Sequence, residues 1–190
     1  MRNFDTAIVV LAAGLSSTPV WAADSYVIDP RHTHPSYEIN HFGWSTQRGR
    51  FDNVTGTITL DRAAKTGSVE VKIEVSSVST GVDKLDEHLK SEDFFNVGKY
   101  PTITFKATKI AFDGDLPASV PGQITILGMT KPATLTVTHF GCGVHPMLKK
   151  EVCGAEASAT IKRSEFGMTK YVPALGDDVK LLINVEAFKE

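Results

Sequence analysis

The sequence predicts one antiparallel all-β domain. Three observations carry that prediction. Apolar and polar residues alternate with a period of two in stretch after stretch, turn-forming residues separate those stretches, and one segment alone has helical periodicity. Val69, Val71, Ile73 and Val75 alternate with Glu70, Lys72 and Glu74. Ile103, Phe105 and Ala107 alternate with Thr102, Thr104, Lys106 and Thr108. Cys153, Ala155, Ala157, Ala159 and Ile161 alternate with Glu156, Ser158, Thr160 and Lys162. Val179, Leu181, Ile183, Val185 and Ala187 alternate with Lys180, Asn184 and Glu186, with Leu182 as one apolar breach. One face of each run is apolar and the other polar, as strands facing a core on one side require.

Strand segments are expected at roughly 34–42, 45–51, 54–60, 68–77, 102–111, 122–128, 133–140, 152–163 and 178–189, about eight strands if the second and third are one strand broken at Asp52-Asn53. Breakers fall between them at Asp61 to Gly67, Asp113-Gly114-Asp115, Pro117, Pro121-Gly122 and Gly128 to Pro132. A short helix is expected from a Ser79 or Thr80 cap, with Val82, Leu85 and Leu89 on one face. Such a chain closes as a sandwich or a barrel. An eight-stranded barrel is just wide enough to fill itself with side chains or to hold one small ligand. The alanine-rich inward face of 153–161, with Ala107 and Ala187, leaves volume for an apolar guest or for a closely packed element such as the helix. The residues leave both readings open.

The chain begins M-R-N-F-D, continues with an apolar run from Thr6 to Leu15, and reaches small residues at Val20-x-Ala22. This is the pattern of a secretory signal peptide over residues 1–22, cut after Ala22, with the domain in 23–190. The apolar run is too short to span a bilayer, which takes about 20 residues. The expected location is the periplasm, or outside the cell. A net charge of −2 argues against nucleic acid as a partner. Two cysteines, Cys142 and Cys153, read as a disulfide in an oxidising compartment. The rival is a metal site, which their spacing disfavours because it is not C-x-x-C.

Four segments in order carry a family resemblance. They are Y-V-I-D-P-R-H-T-H with Y-E-I-N-H-F-G, then R-G-R-F-D-N-V-T-G-T-I, L-K-S-E-D-F-F-N-V-G-K-Y-P-T-I-T-F-K-A-T, and I-T-I-L-G-M-T-K-P-A-T-L. Over residues 24–190 the chain resembles the YceI-like family of polyisoprenoid-binding proteins. That resemblance implies an eight-stranded antiparallel lipocalin-like barrel with one short helix near its mouth. It also implies a non-catalytic periplasmic carrier of a long isoprenoid, such as a polyprenyl lipid or a quinone. Two features depart from the family pattern. Pro35 stands where an aliphatic strand residue is usual, so that strand end should be an edge or a bulge. The cysteine-bearing segment F-G-C-G-V-H-P-M-L-K-K-E-V-C-G looks like a feature of one branch.

The candidate ligand-binding residues are Tyr37, Ile39, His41, Phe51, Val71, Ile73, Leu85, Leu89, Phe94, Phe95, Phe105 and Ile183. His41 shares strand parity with Tyr37 and Ile39 and should point inward, as a hydrogen-bonded core residue or as a contact for the ligand's polar end. Phe94, Phe95 and Tyr100 read as core anchors that double as cavity wall. Arg48 and Arg50 read as solvated charges, with a phosphate head group as their functional alternative. His32, His34 and His41 do not share one face, so no metal is expected. No catalytic residue and no cofactor is expected, since G-x-S-x-G, H-E-x-x-H, Gly-rich phosphate loops and C-x-x-C are all missing from the sequence. The alternatives to a dedicated carrier are a promiscuous sequestering protein for hydrophobic compounds and, further off, a lipid-modifying enzyme. No membrane span is expected, and the sequence leaves room for a homodimer.

Overall fold

The computed structural model describes residues 23–190, so the expected signal peptide lies outside the described residues. The strands are β1 (Asp24–Ile28), β2 (Ser36–His41), β3 (Ser45–Phe51), β4 (Val54–Asp61), β5 (Thr66–Glu74), β6 (Val78–Ser79), β7 (Thr102–Ala107), β8 (Ala111–Asp113), β9 (Leu116–Ile126), β10 (Met129–Val144), β11 (Glu151–Lys162) and β12 (Leu175–Lys189). Neighbours run β1-β4-β5-β7-β9-β10-β11-β12, and β12 returns to β1. The sheet is therefore a closed barrel of eight antiparallel strands, and closure removes the exposed edges of an open sheet.

Two of the eight staves are broken. β12 pairs with β1 through Ala187↔Ile28 and, further along, with β2 through Leu181↔Tyr37. Between them residues 29–35 leave the ladder, and side chains replace its bonds. The Thr33 hydroxyl accepts a bond from Glu186 N at 3.1 Å, and Asn184 Nδ2 donates to His32 O at 3.1 Å. Buried Asp29 accepts from Arg31 Nε at 3.0 Å and lies 2.8 Å from His32 Nδ1. The hydrogen bond from Arg31, then that from His32, holds the Asp29 carboxyl well below the usual carboxylate range, against the opposing effect of burial. Pro35 sits just before β2 with its carbonyl bonded to Phe51 N, so the strand starts where the proline stops interrupting it. The second break is at Asp52-Asn53, between β3 and β4, where it was expected.

The structure differs from the sequence reading at several strands, and the run expected over 102–111 ends at Ala107, with a separate β8 pairing with β9. β1 is a strand although its alternation is only five residues long; it pairs with β4 and β12 and buries Tyr26 and Ile28. The run expected to 77 ends at Glu74 in a short 3-10 turn, after which β6 pairs with β3. β9 runs through Pro117 and Pro121, and β10 through Pro132. These prolines are tolerated because each has a free side: Pro117 pairs with Phe112 of β8 but lies beyond the β10 ladder, which starts at Ser119; Pro121 lies between the residues paired to β8 and to β7; and β11 pairs with β10 only from Thr136 onward.

Helix α1 (Asp83–Lys90) lacks the side-chain cap expected at Ser79 or Thr80. Gly81, at φ 81°, turns the chain so that Val82 takes the cap position. Asp86 instead reaches back, accepting from Thr80 N at 2.7 Å and from the Thr80 hydroxyl at 2.6 Å. The helix buries no residue fully and lies across one end of the barrel.

Candidate functional site: an apolar cavity in the barrel

The inward faces do not meet in the middle. They enclose a cavity of about 630 Å3, within the range of roughly 300–1,000 Å3 that small-molecule sites occupy. The cause lies in the cross-strand pairs. On β11 and β12, Ala155, Ala157 and Ala159 stand opposite Val185, Ile183 and Leu181. Each pair sets a small side chain beside a large one, so this wall is thin where a Leu or Phe would fill the barrel. On the opposite wall Val71 faces Phe105 and Ile73 faces Ile103.

Two glycines let aromatic rings lie flat against the wall. A Cβ at Gly122 would stand 2.5 Å from Phe105 Cζ, and one at Gly49 would overlap the Tyr37 ring. Burial, and secondarily the Asp86 carboxylate, pushes the Tyr37 phenol up to about 12. It therefore stays a neutral hydroxyl facing the cavity near neutral pH.

All twelve candidate residues lie on this cavity: Tyr37, Ile39, His41, Phe51, Val71, Ile73, Leu85, Leu89, Phe94, Phe95, Phe105 and Ile183. Tyr100 does not line it and packs beside the Gly128 turn instead. Arg48 reaches the rim but is paired with Glu38 at 2.8 Å, and Arg50 pairs with Asp52 at 2.8 Å. His32 and His34 stay in the 29–35 segment, apart from His41. Alternation extends the lining to Ile58, Val69, Ile124, Leu135, Val137 and Val185.

Sequence reasoning missed the wall supplied by irregular chain after β11. Arg163, Phe166, Met168 and Tyr171 all line the cavity. Arg163 is buried and donates to the carbonyls of Gly176 at 2.8 Å, Met168 at 2.9 Å and Leu175 at 3.0 Å, which ties this segment onto β12. Burial pushes its guanidinium below the ordinary arginine value. No periodicity marks these positions, so no pattern could have found them.

The cavity is exposed, among the described residues, at the end that carries α1 and the β2–β3 turn. Among its lining residues Phe42, Leu85 and Tyr171 are exposed, and they sit on the β2–β3 turn, on α1 and on the 163–174 connection. At the other end Leu60, Ile110 and Val120 are buried, and below them Tyr26 donates to Glu151 Oε1 at 2.8 Å. His41, Gln47, Arg48, Thr80, His88 and Tyr171 bring polar groups to the mouth, while the deep wall is aliphatic and aromatic but for Thr33, whose hydroxyl is engaged with the Glu186 backbone. The disulfide Cys142–Cys153 is formed and joins directly opposed residues of β10 and β11 near the closed end. Glu151 lies beside it, but the bridged sulfurs offer no metal-binding thiolate.

Fold and site together define a closed eight-stranded barrel with an apolar interior cavity and a mouth at the α1 end. The YceI-like domain model matches residues 26–187, and the chain belongs to the YceI-like family. A UPF0312 protein of Pseudomonas paraeruginosa is 35% identical over 187 residues, covering 97% of each chain. Protein YceI of Salmonella arizonae is 34% identical over 183 residues, 95% of each. The crystal structure of a Campylobacter jejuni YCEI protein is similar with a TM-score of 0.69 at 29% identity, over 80% of this chain and 90% of that one. A polyisoprenoid binding domain from Saccharophagus degradans has the same fold, with a TM-score of 0.62 at 14% identity, over 90% of this chain and all of that one.

Proposed function

We propose that this protein is a non-catalytic carrier that buries the tail of a long isoprenoid or similar amphipathic lipid in its barrel and works in the periplasm after loss of residues 1–22. The observation that carries this reading is the distribution of polarity along the cavity. A deep apolar wall suits a hydrocarbon tail, and a ring of polar groups at the mouth suits a head group. Binding by burial needs no specific chemistry, because each methylene removed from water contributes about 0.8 kcal/mol. The polyisoprenoid-binding relative of the same fold supports an isoprenoid over other apolar cargo. No cofactor or metal is required, and the cargo leaves chemically unchanged.

Native mass spectrometry of the purified protein tests this. The expected result is one bound lipid per chain in the polyprenyl or quinone mass range, recovered intact on denaturation. A protein that takes up no polyprenol or quinone overturns the reading. Equal uptake of unrelated apolar compounds replaces it with a promiscuous sequestering protein, and a chemically altered lipid replaces it with an enzyme.

A further inference from the structure

We infer that the mouth of the barrel docks on the surface of a lipid bilayer, with Trp44 as its principal anchor. This rests on the carrier reading for its purpose but not for its test.

The β2–β3 turn holds aromatic side chains outward where none of the described residues covers them. Trp44 is 82% exposed, and Phe42 is exposed beside it with the two rings 5.4 Å apart. The turn is built to keep them there. Gly43 N donates to Asn40 Oδ1 at 2.7 Å, Trp44 N to His41 O at 3.0 Å, and Phe42 N to Ala174 O at 3.2 Å. Phe42 takes a left-handed backbone at φ 56°, a place where Asn or Gly is at ease and a bulky aromatic is strained. Tyr171, across the mouth, is also exposed and also left-handed, at φ 63°. Val82 and Leu85 add exposed aliphatic surface from α1.

This rim is continuous with the cavity, since Phe42, Leu85 and Tyr171 belong to both. An occupant must therefore cover exposed apolar side chains and the opening of an apolar cavity together. A bilayer interface does both, and Trp and Tyr are the residues that settle there. Charge narrows the mode of docking. Acidic Asp83 and Glu87 share α1 with Lys84 and Lys90, and Lys170 is paired with Asp93 at 3.1 Å. Charges of both signs give no net attraction to an anionic surface, so the docking is by aromatic insertion and is insensitive to salt.

The test uses phosphatidylcholine vesicles that contain no isoprenoid. The sequence has two tryptophans, Trp21 and Trp44, so Trp21→Phe is included wherever residues 1–22 are retained. The expected result is that the protein sediments with the vesicles in low and high salt. Trp44 emission should shift to shorter wavelength and become shielded from iodide. Trp44→Ser should lower the vesicle-bound fraction several-fold, with its thermal midpoint and its loading from detergent micelles unchanged. Unshifted Trp44 emission, equal vesicle binding by Trp44→Ser, or binding only to anionic vesicles at low salt each overturns the inference. A dimer that Trp44→Ser dissociates, with no vesicle binding, overturns it in favour of self-association. Normal micelle loading without vesicle binding removes the docking alone. Vesicle binding without loading removes the carrier and leaves the docking.

Discussion

The two ends of this barrel are built on opposite plans. At the closed end Tyr26, Leu60, Ile110, Val120, Cys153 and Ala187 are all buried, a disulfide joins β10 to β11, and the Tyr26 hydroxyl is tied to Glu151. At the mouth the covering helix buries no residue fully, and Phe42, Leu85 and Tyr171 stand exposed. The same alternating strands run through both ends. What differs is exposure: the cavity-lining Leu60, Ile110 and Val120 of the closed end are shielded from solvent, and the lining Phe42, Leu85 and Tyr171 of the mouth are not. Side-chain contacts are thus shielded at one end and exposed at the other, so substitutions at the two ends should fail in different ways.

The largest loss of stability should come from the closed end. Leu60→Ala removes a buried aliphatic side chain from the floor of the cavity and should destabilise by about 2–5 kcal/mol, read by urea unfolding. Replacing both cysteines by serine should come next, at about 3 kcal/mol on the chain-entropy estimate for a bridge spanning 11 positions. In the same protein, cargo affinity at a temperature where it stays folded should barely change.

The broken stave between the two ends offers a pH-dependent test. Asp29 is held below its ordinary value of 3.8 by Arg31 and His32. Its contribution to stability is therefore complete above that value and is lost as pH falls through the depressed native value. Asp29→Asn should lower stability at neutral pH and flatten the acid limb of the stability–pH curve. An unchanged acid limb would show that the Arg31–Asp29–His32 cluster does not fasten β1 to β2.

The smallest stability effect should come from the mouth. Leu85→Ala should cost less than about 0.5 kcal/mol, as exposed positions usually do, yet weaken cargo binding measurably by fluorescence competition. If it destabilises as much as Leu60→Ala, the contrast between the ends is wrong.

How much of this the sequence disclosed depended on regularity. The alternation of β5, β7, β11 and β12 put Val71, Ile73, Phe105 and Ile183 on the inward face, whereas the alanines of β11 fitted a thin wall and a closely packed element equally well. Helical spacing did the same for Leu85 and Leu89. Strand β1 was missed because five residues are too few for a period to show, and its partners lie far away in sequence at β4 and β12. The prolines of β9 and β10 looked like breakers because nothing in a sequence tells which strand has a free side. Arg163, Met168 and Tyr171 reach the cavity from irregular chain whose path is set by hydrogen bonds to β12, and those bonds exist only once the barrel has closed.

The central claim is that burial of an apolar tail drives binding. A series of polyprenols of increasing length, titrated into the protein from detergent, tests it most directly. Since each buried methylene contributes about 0.8 kcal/mol at most, affinity should climb steeply with each added isoprene unit and then level off once the cavity is full. Affinity that ignores tail length, or that follows the head group alone, would contradict the account.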